Sequence, residues 1–103
     1  IYDIFDRVTM VKGDLLDLGN LAGTIKSHRV DRVIHAASYL GFESQTRPPL
    51  AVKVNCEGTA NVLEASRIMD VRQVVYTSTQ SVYGVTPSGQ PVTEDDAPRP
   101  DNL

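Results

Sequence analysis

Apolar positions along the chain fall into short groups whose spacing predicts alternating strands and helices. Residues 8–13 (Val-Thr-Met-Val-Lys-Gly) are short, β-branched and end in glycine, which reads as a strand. Asp14, Asp17 and Asn20 follow as turn and N-cap residues. Leu18, Leu21, Ala22 and Ile25 then recur at helical spacing and predict a helix to about His28. After Asp31, the run Arg32-Val33-Ile34-His35-Ala36-Ala37 reads as a buried strand. Gly41, Pro48 and Pro49 make residues 38–49 a loop, and Pro49 is suited to open the next helix, over residues 50–69. At about 1.5 Å per residue that helix is roughly 30 Å long, enough to cross a sheet. Residues 73–78 (Gln-Val-Val-Tyr-Thr-Ser) read as a third strand. Beyond Thr79, the residues Gly84, Pro87, Gly89, Pro91, Pro98 and Pro100 exclude long helices or strands.

Strand, helix, strand, helix, strand is the order of an α/β chain with parallel strands, so a sheet covered on its faces is expected. Three strands leave edges unpaired and a thin core, so flanking sequence is expected outside the chain. The chain also begins without Met, which places the expected N-terminus upstream. The long helix carries two apolar stripes, Val52, Cys56, Ala60 and Leu63 on one, and Val54, Gly58, Val62, Ala65 and Met69 on the other. Covering a sheet takes one stripe. The second calls for another helix, either from the same domain or from a second subunit in a homodimer through residues 50–69.

Composition narrows the class. With 103 residues, 41% hydrophobic and 22% charged, the chain has the balance of one globular domain. The formal net charge is −3, and Lys and Arg are scattered, so neither a nucleic acid nor a membrane surface is an expected partner. No apolar run is long enough to span a bilayer, and the first residues lack the pattern of a signal peptide. Cys56 is the single cysteine, which excludes a disulfide or zinc cluster within the chain. It reads as a small core residue in a reducing, cytoplasmic setting.

In a doubly wound sheet, ligands sit at the carboxyl ends of the strands. Asp14 could accept a hydrogen bond from an amino group and Leu15 could pack on a flat base, although Gly-Asp is also a common turn pair. Ala36, Ala37 and Ser38 are small enough to let a ligand approach the backbone, or to pack tightly beneath a helix. His35 lacks companion metal ligands and reads as a satisfied core histidine. Thr77, Ser78, Thr79, Gln80 and Ser81 form a hydroxyl-rich turn that could hold a substrate oxygen or simply cap itself.

Taken together these segments resemble the NAD-dependent epimerase/dehydratase family of extended short-chain dehydrogenases. Gly13-Asp14-Leu15-Leu16-Asp17 is similar to the Gly-Asp-apolar motif after that family's third strand. Residues 31–37 are similar to its D-x-V-I-H-x-A motif, and residues 55–63 to its N-x-x-G-T-x-N-(L/V)-L helix. Residues 74–84 resemble its strand ending in S-(S/T)-x-x-V-Y-G, and Pro91, Glu94 and Asp95 the stretch that follows. The resemblance implies a partial Rossmann-like doubly wound parallel sheet, with residues 1–103 an internal fragment of its NAD(P)-binding domain. It implies that Asp14 and Leu15 contact the adenine of NAD, that Ala36, Ala37, Ser38 and Ser78 line the cofactor's path, and that Val54 touches the cofactor through backbone or apolar contact. Asn55 would be a buried polar link from helix to sheet. Thr79 would be the catalytic hydroxyl, with Gln80 and Ser81 beside it in the substrate region, and a nucleotide sugar the substrate. NAD is the expected cofactor and NADP is not excluded, because the residue that reads the ribose 2′ position follows a strand outside the chain.

Two family motifs are missing. No set of glycines has the spacing of the pyrophosphate loop, G-x-x-G-x-x-G. Tyr2, Tyr39, Tyr76 and Tyr83 are followed four positions later by Asp6, Glu43, Gln80 and Pro87, so no Tyr-x-x-x-Lys is present. The resemblance places the first, with two strands, before Ile1 and the second after Leu103. The chain alone is therefore expected to be inactive and to bind NAD weakly or not at all. Where the dehydratase branch carries Asp-Glu after its threonine, this chain has Gln80-Ser81, which cannot serve as acid and base. That favours an epimerase or reductase. The alternatives are a catalytically silent dinucleotide-binding regulator and a steroid- or flavonoid-type reductase.

Overall fold

The computed structural model describes residues 6–85 and 91–101. Expectations resting on residues 1–5, Pro87, Gly89, Asn102 and Leu103 lie outside the described residues. Helix α1 spans Leu18–Ser27, strand β1 Arg32–His35, helix α2 Phe42–Thr46 and helix α3 Pro48–Val52. A π-helical segment, Lys53–Glu57, joins α3 to helix α4, Gly58–Ile68, so that the three form one rod. Strand β2 is Gln73–Tyr76 and a 3₁₀ turn covers Gln80–Tyr83. β1 and β2 are parallel and in register, Arg32 beside Gln73 through His35 beside Tyr76. The connection between them is the α2–α4 segment, as parallel pairing requires.

Side-chain alternation decides which face the helices cover. Val33 and His35 share a face with Val74 and Tyr76, and His35 reaches Thr59 on α4 across it. Ile34 and Val75, also paired, point the other way and are 75% and 46% exposed. The core lies between α1 and α4, where Ile25, Val62 and Ala65 are buried, with Ala51 buried on α3.

Local chemistry sets the helix ends. Asp17 caps α1 by accepting the Asn20 N–H on its side chain at 2.9 Å. α1 and α4 stop in the same way. Val30 N–H bonds to Ile25 C=O and Val71 N–H to Ser66 C=O, with Arg29 and Asp70 at φ 50° and 54°. These are Schellman closures that use a non-glycine residue in the left-handed position. Each leads directly into a strand, and the two joints are tied by Arg72 N–H to Asp31 C=O at 2.9 Å. On the outer surface of α4, Glu64 and Arg67 form a 2.7 Å pair. Their mutual hydrogen bond lowers the glutamate pKa and raises that of the arginine.

Several expectations are corrected. Residues 8–13 are not a strand, because no described segment pairs with them and Met10 stands 79% exposed. Strand propensity expresses fit to a pleated, half-buried surface, and none is offered to this segment. Both strands are also shorter than predicted, and Ala36-Ala37 and Thr77-Ser78 run on beyond them, with the Thr77 N–H still bonded to the His35 carbonyl. Residues 38–49 are not all loop, since α2 forms within them and the next helix starts at Pro48. Cys56 is exposed rather than a core residue. It belongs to the outward stripe of the rod, with Val52 50% and Leu63 49% exposed, while Gly58, Val62 and Ala65 of the other stripe are buried.

Candidate functional site

Three segments make up the candidate site, and side chains of one helical stretch, residues 55–61, hold the first and the third of them. The first is the carboxyl end of β1. Asn55, within the π segment, accepts the Tyr39 N–H on Oδ1 at 2.7 Å and donates from Nδ2 to the Tyr39 carbonyl at 3.1 Å. One amide thus satisfies both backbone groups of one residue and fixes the path of residues 36–40. A π segment inserts an extra residue into a helix, which turns the side chains on either side of it relative to a regular helix. Asn55 is half-buried and links the helix to the loop after the sheet rather than to the sheet itself. One residue before that loop, buried His35 pairs its Nε2 with Thr59 Oγ1 at 2.9 Å and stacks on Tyr76, with ring centroids 5.2 Å apart. The satisfied core histidine expected from the sequence is what the structure contains.

The second segment is the carboxyl end of β2. Thr77 bonds back to the His35 carbonyl through both its N–H, at 3.1 Å, and its hydroxyl, at 3.3 Å. Thr79 then caps the 3₁₀ turn, its Oγ1 accepting the Ser81 N–H at 3.2 Å. That bond occupies an acceptor position of the oxygen and leaves the hydroxyl hydrogen free to donate elsewhere. A returning strap closes this side. Arg99 N–H bonds to Val82 C=O at 2.8 Å, and Gly84, at φ 62°, lies so close that a Cβ there would collide with the Arg99 carbonyl oxygen. Earlier in the strap, the Thr93 backbone amide, and then its hydroxyl, bond the exposed Asp96 carboxylate and lower its pKa.

The third segment is the turn at residues 14–17. Asp14 Oδ1 accepts the Leu16 N–H at 2.9 Å, so this carboxylate shapes its own turn and leaves its other oxygen open to solvent. α4 grips the turn at Leu15, where Asn61 Nδ2 donates to the Leu15 carbonyl at 3.0 Å.

Two cavities adjoin these segments. One, about 510 Å³, is lined by Ala36, Ala37, Ser38, Asn55, Ser78, Thr79, Ser81 and Pro100, among others. The other, about 540 Å³, is mostly apolar and runs past Leu15, Leu21, Ile25 and Val33, with Asn20, Thr24 and His35 also on its wall. Ala36 and Ala37 line both, so a path leads from Leu15 across the small residues at the end of β1 to the Thr79 hydroxyl. Volumes of this size suit a small organic ligand. Most of the sequence-predicted residues lie along this path. Asp14 sits beside it on the Leu15 turn, while Val54 and Gln80 line neither cavity. The sequence reading did not find Gly58, Asn61 or Pro100. In the sequence Gly58 stands out as a member of an apolar stripe and Asn61 as part of a helix motif, and Pro100 as a breaker, with no sign of what each would touch. Among the described residues, no three His, Cys, Asp or Glu side chains gather to hold a metal ion, and no helix is long and apolar enough to cross a membrane.

A parallel α/β layer with a small-residue crossing and a hydroxyl-bearing turn at adjacent strand ends is the layout of a dinucleotide-binding fold. Residues 2–102 match the NAD dependent epimerase/dehydratase family, and the chain belongs to that family. It is 37% identical over 92 residues to the UDP-glucose 4-epimerase of Mycolicibacterium smegmatis, an alignment covering 87% of this chain and 29% of that protein. It is 34% identical over 85 residues to human 3 beta-hydroxysteroid dehydrogenase type 7, covering 82% of this chain and 22% of that one. The structure superposes on the UDP-glucose 4-epimerase of Thermus thermophilus, crystallised with NAD, with a TM-score of 0.87 at 30% identity, over 98% of this chain and 33% of the other. The fold is therefore a partial Rossmann-type α/β layer, and the chain spans a third or less of each of these three proteins.

Proposed function

We propose that the chain is the central section of an NAD-dependent oxidoreductase acting on a nucleotide sugar, most simply a UDP-sugar 4-epimerase. The observation that carries the reading is that the cavity beside Leu15 and the cavity beside Thr79 share Ala36 and Ala37 as lining. The residues fit the cofactor along that path. Leu15 offers an apolar wall and Asp14 a free carboxylate oxygen for an adenine amino group, and Ala36, Ala37 and Ser38 leave room for ribose and phosphates. NAD or NADP, when bound, supplies the hydride acceptor for a hydroxyl carbon. Thr79 donates its free hydroxyl hydrogen to the sugar oxygen and orients it, while Ser78 and Ser81 line the same cavity. Gln80 and Ser81 offer no acid–base pair, which argues against dehydration.

In this reading the pyrophosphate loop and the Tyr-x-x-x-Lys pair come from parts of a longer protein on either side, and the chain by itself is inactive. The outward stripe of Val52, Cys56, Ala60 and Leu63 pairs with a second copy to form a homodimer in the cytoplasm. The likeness to a hydroxysteroid dehydrogenase supports one second reading, oxidation of a steroid-type alcohol at the same hydroxyl.

The test is Thr79→Ala in the intact protein, assayed for NAD binding and for interconversion of UDP-glucose and UDP-galactose. A fall in kcat of about a hundredfold at unchanged NAD affinity is expected for loss of a hydrogen-bond donor to the reacting oxygen. Unchanged turnover would remove Thr79 from the reaction. NAD binding with turnover of a sterol and not of a UDP-sugar would select the second reading, and NAD binding without turnover of either would favour a silent regulator.

A further inference from the structure

We infer that Gly58 and Asn61 of α4 are positioning residues for the adenine end of the cofactor, acting through Leu15. The inference rests on the proposed cofactor path and adds to it the device that sets where its first wall stands. Two independent contacts converge on one residue. Asn61 Nδ2 donates to the Leu15 carbonyl at 3.0 Å, a bond between positions 46 residues apart in sequence. At buried Gly58, an added Cβ would lie 2.9 Å from Leu15 Cβ and 3.4 Å from its Cδ1. The atom met first is the root of the Leu15 side chain, so the clash cannot be relieved by rotating that side chain away.

The two contacts do different work. The missing Cβ at residue 58 lets the 14–17 turn settle against the helix, and the Asn61 amide fixes its height along the helix axis. Glycine inside a helix costs about 1 kcal/mol relative to alanine, so close approach is what offsets its presence here. The Asp14 side chain cannot hold the turn to the helix, because its hydrogen bond goes to Leu16 within the turn itself. Thus the shape of the turn is set by its own residues, while its place against the helix, and with it that of Leu15, is set by α4. Asn55 and Thr59, on the same helical stretch, hold Tyr39 and His35 at the other part of the path. A shift of the 14–17 turn would therefore move the adenine wall relative to a crossing that stays where it is.

The experiment compares Asn61→Ala, Gly58→Ala and Leu15→Ala with wild type in the intact protein. NAD and ADP-ribose affinities are measured by calorimetry on cofactor-stripped protein, alongside NAD KM, kcat at saturating NAD and the thermal midpoint. Asn61→Ala and Gly58→Ala should weaken both ligands about fivefold, the equivalent of one ordinary hydrogen bond, and raise the NAD KM to match. Their kcat should stay within about twofold of wild type, because the adenine wall is remote from the reacting hydroxyl. A role in folding alone would lower the thermal midpoint and the active fraction while leaving ligand affinity of the folded protein unchanged, and that result would overturn the inference. If Gly58→Ala fails to fold, Asn61→Ala decides. If Leu15→Ala weakens NAD and neither α4 variant does, positioning through Leu15 is wrong and the cofactor path stands. If Leu15→Ala leaves NAD affinity unchanged, the adenine does not lie there and both readings fall.

Discussion

The two strand ends that frame the more polar cavity are built by opposite means. The end of β1 is held from a distance. Asn55 clamps both backbone groups of Tyr39, and Thr59 holds His35, so residues 36–40 owe their course to a helix later in the chain. The end of β2 is mostly held by itself, with Thr79 capping Ser81, Val82 bonding back to Thr79 and Gly84 to Ser81. Its long-range ties are Thr77 to His35 and the Arg99 strap. A binding crossing benefits from a fixed backbone, because a ligand is recognised there by close approach. A hydroxyl that must meet a reacting oxygen benefits from a local turn that can adjust on ligand entry.

The contrast breaks most sharply at Asn55. In Asn55→Ala the Tyr39 N–H and carbonyl both lose their partner, which should cost about 2–4 kcal/mol at about 1–2 per group, measured by chemical denaturation of the intact protein. NAD affinity should fall with it, because residues 36–40 lose their fixed course. A loss under about half a kcal/mol would mean that the β1 end holds itself as the β2 end does. Next comes Gly84→Ala. At φ 62° and ψ −156° the backbone is in a region that glycine alone enters freely, and the added Cβ meets the Arg99 carbonyl. A cost of about 1–3 kcal/mol is expected. It should appear as faster hydrogen exchange at the Arg99 amide, while the amide of Tyr39 stays protected. Loss of protection at both would show that the two walls move as one.

The smallest effect sharpens the comparison by marking what the two sides share. Both strands are entered from a helix closed by a left-handed residue that is not glycine, Arg29 before β1 and Asp70 before β2. Arg29→Gly and Asp70→Gly should each stabilise the protein by about 0.5–1 kcal/mol, read from the denaturation midpoint at constant slope. Equal gains would place the asymmetry of the site wholly after the strands. A gain at one joint and a loss at the other would place it partly before them.

Much of this was legible in the sequence because it depends on neighbours along the chain. The spacing of Leu18, Leu21, Ala22 and Ile25 predicted α1, and Asp17 its cap. Val-Ile and Val-Val runs predicted the two paired strands, and the hydroxyl-rich turn predicted where Thr79 would stand. The failures have one cause. Residues 8–13 have strand composition, but a strand exists only where another segment completes its ladder. Cys56 has core composition, but which of two apolar stripes turns inward depends on where α1 packs.

The sequence by itself determined α1, the two paired strands and the long helix between them, and the small and hydroxyl residues at the strand ends. Those follow from composition and short-range period, which act on each segment separately, while the family was legible through the likeness of its motifs. Only the tertiary structure decided what holds those ends in place. Asn55 on Tyr39, Thr59 on His35, Asn61 on Leu15 and the close approach at Gly58 all join residues at least 16 positions apart. Local pattern does not encode such distances. They are fixed when the rod packs against α1 and the sheet, and its polar side chains take up backbone groups that would otherwise lack a partner.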